Sequence, residues 1–316
     1  MTSTVAARQL RTGIVAMEPP ATLRQWLDRV RRIDDQGHDV LLMPDHLGLW
    51  PPFSPLVAAA GASDRLRFGT QVLNTEFWNP VLLAREAAAV DVLTDGRLEL
   101  GFGAGHAAVE FRAAGIAYDP PRERVARLAE AVPLVRRLLA GERVDHDGRY
   151  HLDAAVTGLA TAQSPVPVLV GGNGDRVLRI AAEHADVVGL VGFTAGTGQV
   201  HTNLSHFTWD GLAERITQVR RCAGDRFGDI ELSVLVQKVD VTDDRRAAAE
   251  AFAGGLDVDL DILLDSPFAL FGPATDIADQ LARLRSEHGV TYVTTFEHSA
   301  EALAAAVAAG AGLPRP

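Results

Sequence analysis

Cysteine occurs once in the 316 residues, at Cys222, and lysine once, at Lys238. One thiol excludes a disulfide framework and a cysteine-rich metal centre. Its helical surroundings make it a small buried hydrophobe rather than a nucleophile. No run of about 18 uncharged apolar residues exists, and the opening MTSTVAARQLRTG has no apolar core segment. A soluble, cytoplasmic chain is the expectation, with no membrane partner. No two histidines stand in H-x-x-x-H or H-E-x-x-H spacing, so no metal site is expected. Positive charge is also short. A formal net charge of −11 and a pI near 5.4 argue against nucleic acid or an anionic membrane as partner. A phosphorylated small ligand stays compatible, because one arginine or a ring of amides can hold an anion.

What is present is a large apolar fraction, 47%, enough for a sizeable core. Strand and helix patterns alternate along the chain. Arg11 to Ala16, Asp39 to Met43, Leu66 to Leu73 and Leu98 to Phe102 read as short apolar strands of the kind covered on both faces. Val166 to Val170, Ala185 to Val191, Ile230 to Val241 and Val290 to Phe296 continue the series. Between them lie helical spacings, such as Leu23, Trp26, Leu27, Val30 and Ile33, and an Asn79-Pro80 helix start. Pro133 should kink or split the helix that ends at Gly141. A hairpin is expected at VDHDGRYHL, Val144 to Leu152, and the stretch from Gly254 to Phe271 is ambiguous. Eight strands interleaved with helices predict a single (β/α)8 barrel over residues 1–316. An insertion falls at about 141–165 and a lid loop at about 192–208.

Glycine is concentrated at one strand end, in LELGFGAGHAAVEFRAAGI from Leu98 to Ile116. Gly101, Gly103 and Gly105 leave bare backbone there, where a flat or phosphorylated ligand could approach. The spacing is wrong for G-x-G-x-x-G, and no acidic residue ends a following strand, so a dinucleotide fingerprint is rejected. In a barrel the site gathers at the carboxyl ends of the strands. There the chain offers Asp45-His46, Asn74 with Glu76, Gly103 to His106 with Glu110, Gly171-Gly172-Asn173-Gly174, and Glu297-His298. His46 can titrate near neutrality and move a proton, or can be a structural imidazole beside a capping Asp45. The Gly171 turn presents amides and a helix dipole to a phosphate, with Arg176 adding charge, or merely joins a strand to a helix.

Taken together, several stretches resemble the bacterial-luciferase-like superfamily of flavin barrels, and within it the actinobacterial branch that uses coenzyme F420, a deazaflavin. The carriers are MPDHLG (Met43–Gly48), Leu66–Gly105, EFRAAGI (Glu110–Ile116), Pro167–Leu190 and HGVTYVTTF (His288–Phe296). The resemblance spans roughly Thr12 to Ala309.

It implies a non-proline cis peptide at Gln71-Val72 against the back of the cofactor ring. It also implies ring and side-chain contacts from Asp45, Asn74, Ala104 and Gly105, and phosphate contacts from Asn173, Gly174, Arg176 and Val177. His46 matches a proton-handling residue of the family's sugar-phosphate dehydrogenase. His106 matches that enzyme's acidic partner, where many relatives carry Trp, and Glu110 is the alternative acid. The basic residues that grip a sugar phosphate in that dehydrogenase have no counterparts here. The implied reaction is hydride transfer between F420 and a small organic substrate. The alternatives are an FMN-dependent monooxygenase with a separate reductase partner, and a non-catalytic flavin-binding barrel. Residues His201, Asn203, His206 and Trp209 could line the substrate. A homodimer is implied by the same resemblance.

Overall fold

A computed structural model describes residues 8–193, 204–254 and 259–310. The first half runs β1 (Arg11–Val15), α1 (Leu23–Asp35), β2 (Val40–Met43), α2 (Phe53–Ala60), β3 (Arg67–Thr70), β4 (Leu73–Asn74), α3 (Pro80–Leu93), β5 (Leu98–Gly103), α4 (Ala108–Ala114) and α5 (Pro121–Leu139). A hairpin, β6 (Val144–Asp147) and β7 (His151–Ala155), follows. The second half comprises β8 (Val168–Gly171), α6 (Asp175–His184), β9 (Val187–Leu190), α7 (Trp209–Ala223), β10 (Glu231–Val236), β11 (Lys238–Val241), α8 (Arg245–Ala253) and α9 (Leu260–Leu264). The chain closes with β12 (Ala269–Gly272), α10 (Ala274–His288), β13 (Val290–Phe296) and α11 (Ala300–Ala309).

Local chemistry explains the helix starts. The Thr22 hydroxyl accepts the Gln25 N–H at 3.2 Å and opens α1, whose buried face carries Trp26, Val30 and Ile33. Asn79 caps α3 and Pro80 occupies its first position, where a missing N–H costs nothing. Pro133 lies inside α5, which stays one helix from Pro121 to Leu139. Neighbouring Leu128, Val132 and Val135 are fully buried, and that packing holds the helix together across the lost hydrogen bond.

All strand pairs of the main sheet are parallel, in the order β3-β2-β1-β13-β10-β9-β8-β5-β4, with β3 also pairing β5. That last pairing closes the ring. Because β3 and β4 are one strand interrupted at Gln71-Val72, the nine segments make an eight-stranded barrel. The (β/α)8 expectation holds, and all eight predicted strands are in it. The stretch from Ile230 to Val241 is not one strand: β10 stays in the barrel, while β11 leaves it to pair with β12 in a small outer sheet. Apolar residues at alternate positions through Val239 and Val241 hid that break, although in β11 only Val239 is buried. The hairpin forms where expected, with Asp147 opposite His151.

Inside the barrel lies a small cluster of Val15, Val40, Leu42, Leu169, Val187 and Tyr292. The larger core fills the space between strands and helices. At the amino ends of the strands, Arg11 donates to Glu99 at 2.6 Å and to Glu231 at 2.7 Å, and lies 3.8 Å over the Tyr292 ring. Arg67 adds a second contact to Glu99 at 2.6 Å. Burial would raise the Glu99 pKa, but Arg11 and then Arg67 overcome it and hold the carboxyl below its ordinary value. Ion pairs thus plug one end, and the chemistry-bearing residues collect at the other.

Candidate active site

The peptide between Gln71 and Val72 is cis, as the resemblance implied. Val72 projects among the glycines of the neighbouring strands. A Cβ on Gly103 would lie 2.6 Å from Val72 Cγ2, and one on Gly171 would lie 3.1 Å from its Cγ1. A Cβ on Gly101 would collide with the carbonyl oxygen of Thr70. Much of the glycine run is therefore explained by packing: it admits Val72 between β5 and β8. Gln71 donates from Nε2 to Thr294 Oγ1 at 3.0 Å, and its Oε1 is buried with no hydrogen-bond partner.

Gly105 has a different reason. Its φ of +69° is left-handed, and the Asn74 side-chain amide occupies the space a Cβ would need. Asn74, which pairs with Gly103 across β4 and β5, is held from the other side. Its backbone N–H donates to Asp45 Oδ2 at 3.0 Å, and the Trp78 indole N–H donates to the same oxygen at 2.8 Å. Burial pushes the Asp45 carboxyl up, while these two donors pull it down. Asp45 thus fixes the position of Asn74. Ala104 sits half-buried between Gly103 and Gly105.

His46 follows Asp45 at the end of β2. Its Nδ1 meets Glu110 Oε1 on α4 at 2.7 Å. A carboxylate only accepts, so Nδ1 carries the hydrogen and Nε2 is left as the acceptor for other chemistry. Phe111, fully buried beside Phe77 and Tyr118, anchors the helix that carries Glu110. The His106 ring stands edge-on to His46, centroids 5.6 Å apart at 87°. Burial first, and then the charge of His46, lower the His106 pKa, against the pull of Glu110. All three candidate proton-handling residues therefore converge.

The neighbouring strand β8 ends in the second glycine turn. Gly174 begins α6 with no side chain capping its free amides. Arg176 is exposed in that first turn, and Val177 packs where a Cβ on Gly172 would fall, 2.7 Å from Cγ1. Asn173 is 3% exposed. Its Nδ2 meets His206 Nδ1 at 3.1 Å, and its Oδ1 is buried without a partner. Asp175 is engaged by Arg215 at 2.6 Å.

Of the lid expectation, residues 194–203, including His201 and Asn203, lie outside the described residues. His206 reaches the glycine turn, whereas Trp209 is buried and stacked on His288 at 5.3 Å. Trp78, Tyr118 and Arg124 were not singled out from the sequence. A partly buried Trp needs a partner for its N–H, which was the one available signal for Trp78. Cys222 is half-buried, its Sγ 3.5 Å from Gln218 Nε2. No helix among the described residues is long and apolar enough to cross a membrane.

Residues 2–257 match the sequence profile of the luciferase-like monooxygenases. The chain belongs to the luciferase-like monooxygenase family. Within it, the chain is similar to an F420-dependent glucose-6-phosphate dehydrogenase of Nocardia farcinica, 34% identical over 237 residues, covering 71% of this chain and 69% of that one. A protein of the same description from Intrasporangium calvum is 34% identical over 188 residues, 56% of each chain. The match thus spans little more than half the length of some of these relatives. Among solved structures, an F420-dependent secondary alcohol dehydrogenase in complex with an F420-acetone adduct superposes with a TM-score of 0.77 at 18% identity, covering 96% of this chain and 99% of that one. The F420-dependent tetrahydromethanopterin reductase of Methanopyrus kandleri gives 0.75 at 16% identity, covering 94% and 97%. These two likenesses establish the luciferase-like barrel fold.

Proposed function

We propose that this chain is an oxidoreductase that moves a hydride between coenzyme F420 and a small organic substrate. One observation carries the reading: the His46–Glu110 pair, 2.7 Å apart, at the mouth of the barrel beside Asn74 and Gly105. F420 dependence in the names of the relatives from two genera supports the choice of cofactor.

The residues fit such a group. Val72, seated among glycines, offers an apolar back wall, and Asn74 with Ala104 and Gly105 lies to one side. The uncapped amides of Gly174 to Val177, with Arg176, suit a phosphate. Orphaned buried oxygens fall on two of the expected contact residues, Gln71 Oε1 and Asn173 Oδ1. When bound, F420 supplies a carbon centre that gives or takes hydride. Glu110 orients the His46 ring through Nδ1, so that Nε2 takes the proton of a substrate hydroxyl or returns one to a carbonyl. His106, itself exposed, stands edge-on to that ring.

A sugar phosphate is not proposed as substrate. The single lysine, Lys238, stands 4.0 Å from Asp240, and residues 194–203 and 255–258 contain neither Lys nor Arg. A homodimer is part of the proposal, supported by apolar side chains left exposed on α3, Leu82, Val92 and Leu93; light scattering checks it. The reaction itself is tested by following the deazaflavin's visible absorption with a panel of uncharged alcohols, aldehydes and ketones. Substrate-dependent bleaching or recovery supports the proposal. Oxygen consumption with reduced FMN and no reaction with F420 would replace it with the monooxygenase reading.

A further inference from the structure

The loop that carries His106 is held by two residues with no other evident task. Arg124, on α5, is 5% exposed, yet its guanidinium meets no carboxylate at ion-pair distance among the described residues. Nε donates to the carbonyl of Gly105 at 3.2 Å, Nη1 donates to the carbonyl of Asp119 at 2.5 Å, and the group lies 4.3 Å over the Tyr118 ring. Tyr118 in turn donates its hydroxyl to the carbonyl of His106 at 3.0 Å. The carbonyls on both sides of the Gly105–His106 junction are therefore tied to one stacked Arg–Tyr unit. Its direct contacts are two carbonyls and a ring, with the Glu76 carboxylate acting only from a distance, so its place here calls for a reason beyond ion pairing.

We propose that Arg124 and Tyr118 are positioning residues: they fix the left-handed turn at Gly105 so that the His106 imidazole stands edge-on to His46. The inference rests on reading His46 as the proton-handling residue. The groups facing His106 come from three elements: His46 after β2, Glu110 on α4 and Arg124 on α5. Glu110 favours the imidazolium, whereas Arg124 and His46 oppose it. The Arg124 charge on α5 thus acts in the same direction as burial, the largest cause, in lowering the His106 pKa.

Histidine-selective proton NMR of the intact protein, with no cofactor added, reads this directly. In Arg124→Gln the His106 titration should move up, and the His46 resonance should change with it. Tyr118→Phe keeps the ring under Arg124 and loses only the hydrogen bond, so it guards against an Arg124 variant that fails to fold. It should disturb the His106 and His46 signals while leaving those of His38 and His146 in place. An unmoved His106 titration in Arg124→Gln, together with unchanged His106 and His46 signals in Tyr118→Phe, would overturn the proposal. Coupling supplies the second readout. If the pair acts through His106, Tyr118→Phe should lower kcat in the native background and have no further effect in His106→Ala, with KM for the cofactor unchanged in both. Additive losses would mean a general structural role and would refute it. Should F420 chemistry itself fail, the NMR result still stands or falls by itself.

Discussion

At the scale of single residues, the proposed reaction divides one task between His46 and Glu110. Glu110 engages Nδ1, and in the proposed reaction Nε2 then serves the substrate. Replacing His46 with alanine is expected to lower kcat by roughly 10²–10⁴ while leaving the cofactor Kd little changed. Parallel losses in both would make His46 a binding residue. Glu110→Gln keeps the geometry but removes the charge that stabilises an imidazolium, so it should lower kcat less than His46→Ala. Gly105 is constrained by backbone and space at once. Gly105→Ala should cost at least ~1–2 kcal/mol, measured by urea denaturation, because the turn is left-handed and the Asn74 amide fills the Cβ position. Stability unchanged by that substitution would contradict the placement of Asn74.

At the scale of elements, β4, β5 and β8 act together through Val72. Gly103→Ala would set a methyl 2.6 Å from Val72 Cγ2. The expected cost is about 1–3 kcal/mol with weakened cofactor binding. Val72→Ala in the same chain should restore part of both, since the missing methyls make room for the new one. Failure of the second substitution to rescue would place the conflict elsewhere.

The same region shows what could be read in advance. The glycine run at Leu98 to Gly105 was legible as a place of close approach, but its partner was not. A ligand and a neighbouring side chain both require absent Cβ atoms, and only the three-dimensional register of β4 against β5 identifies Val72 as the occupant. His46 and Glu110 were both marked, yet their contact was not, because it spans a separation of 64 residues and two different strand-to-helix connections. Arg124 escaped notice since arginine is abundant here and its partners are carbonyls, which leave no trace in a sequence. The outer β11–β12 pair was missed for the opposite reason: strand-like alternation runs through β10 and β11 without a turn signal, and such a pattern cannot say which sheet a strand joins.

At the scale of the whole molecule, the two ends of the barrel carry different burdens. The amino end is closed by Arg11, Glu99, Glu231 and Arg67, and the adjoining His38 is buried. His38 Nε2–H donates to the carbonyl of Ala300 at 3.1 Å, and Nδ1 lies 3.0 Å from Thr12 Oγ1. Burial pushes its pKa down from 6.5 to about 4. The unfolded chain therefore takes up this proton before the native one does. Stability from His38 is fully present above pH 6.5 and is lost as pH falls toward 4, in total roughly 3 kcal/mol. Denaturant midpoints measured at pH 7 and pH 5 should show the fall, and His38→Gln should flatten it. An equal fall in that variant would assign the acid sensitivity to other groups.

The carboxyl end carries the proposed site, and the identity of its cofactor is the point on which everything else turns. Equilibrium titration of purified protein with F420 and with FMN, each followed by fluorescence and then by competition, measures it most directly. Saturable F420 binding that FMN fails to displace, weakened by removing Arg176 and lost when Gly174 is replaced by a bulky residue, is the expected result. Tight FMN binding with no measurable affinity for F420 would contradict the hydride-transfer reading.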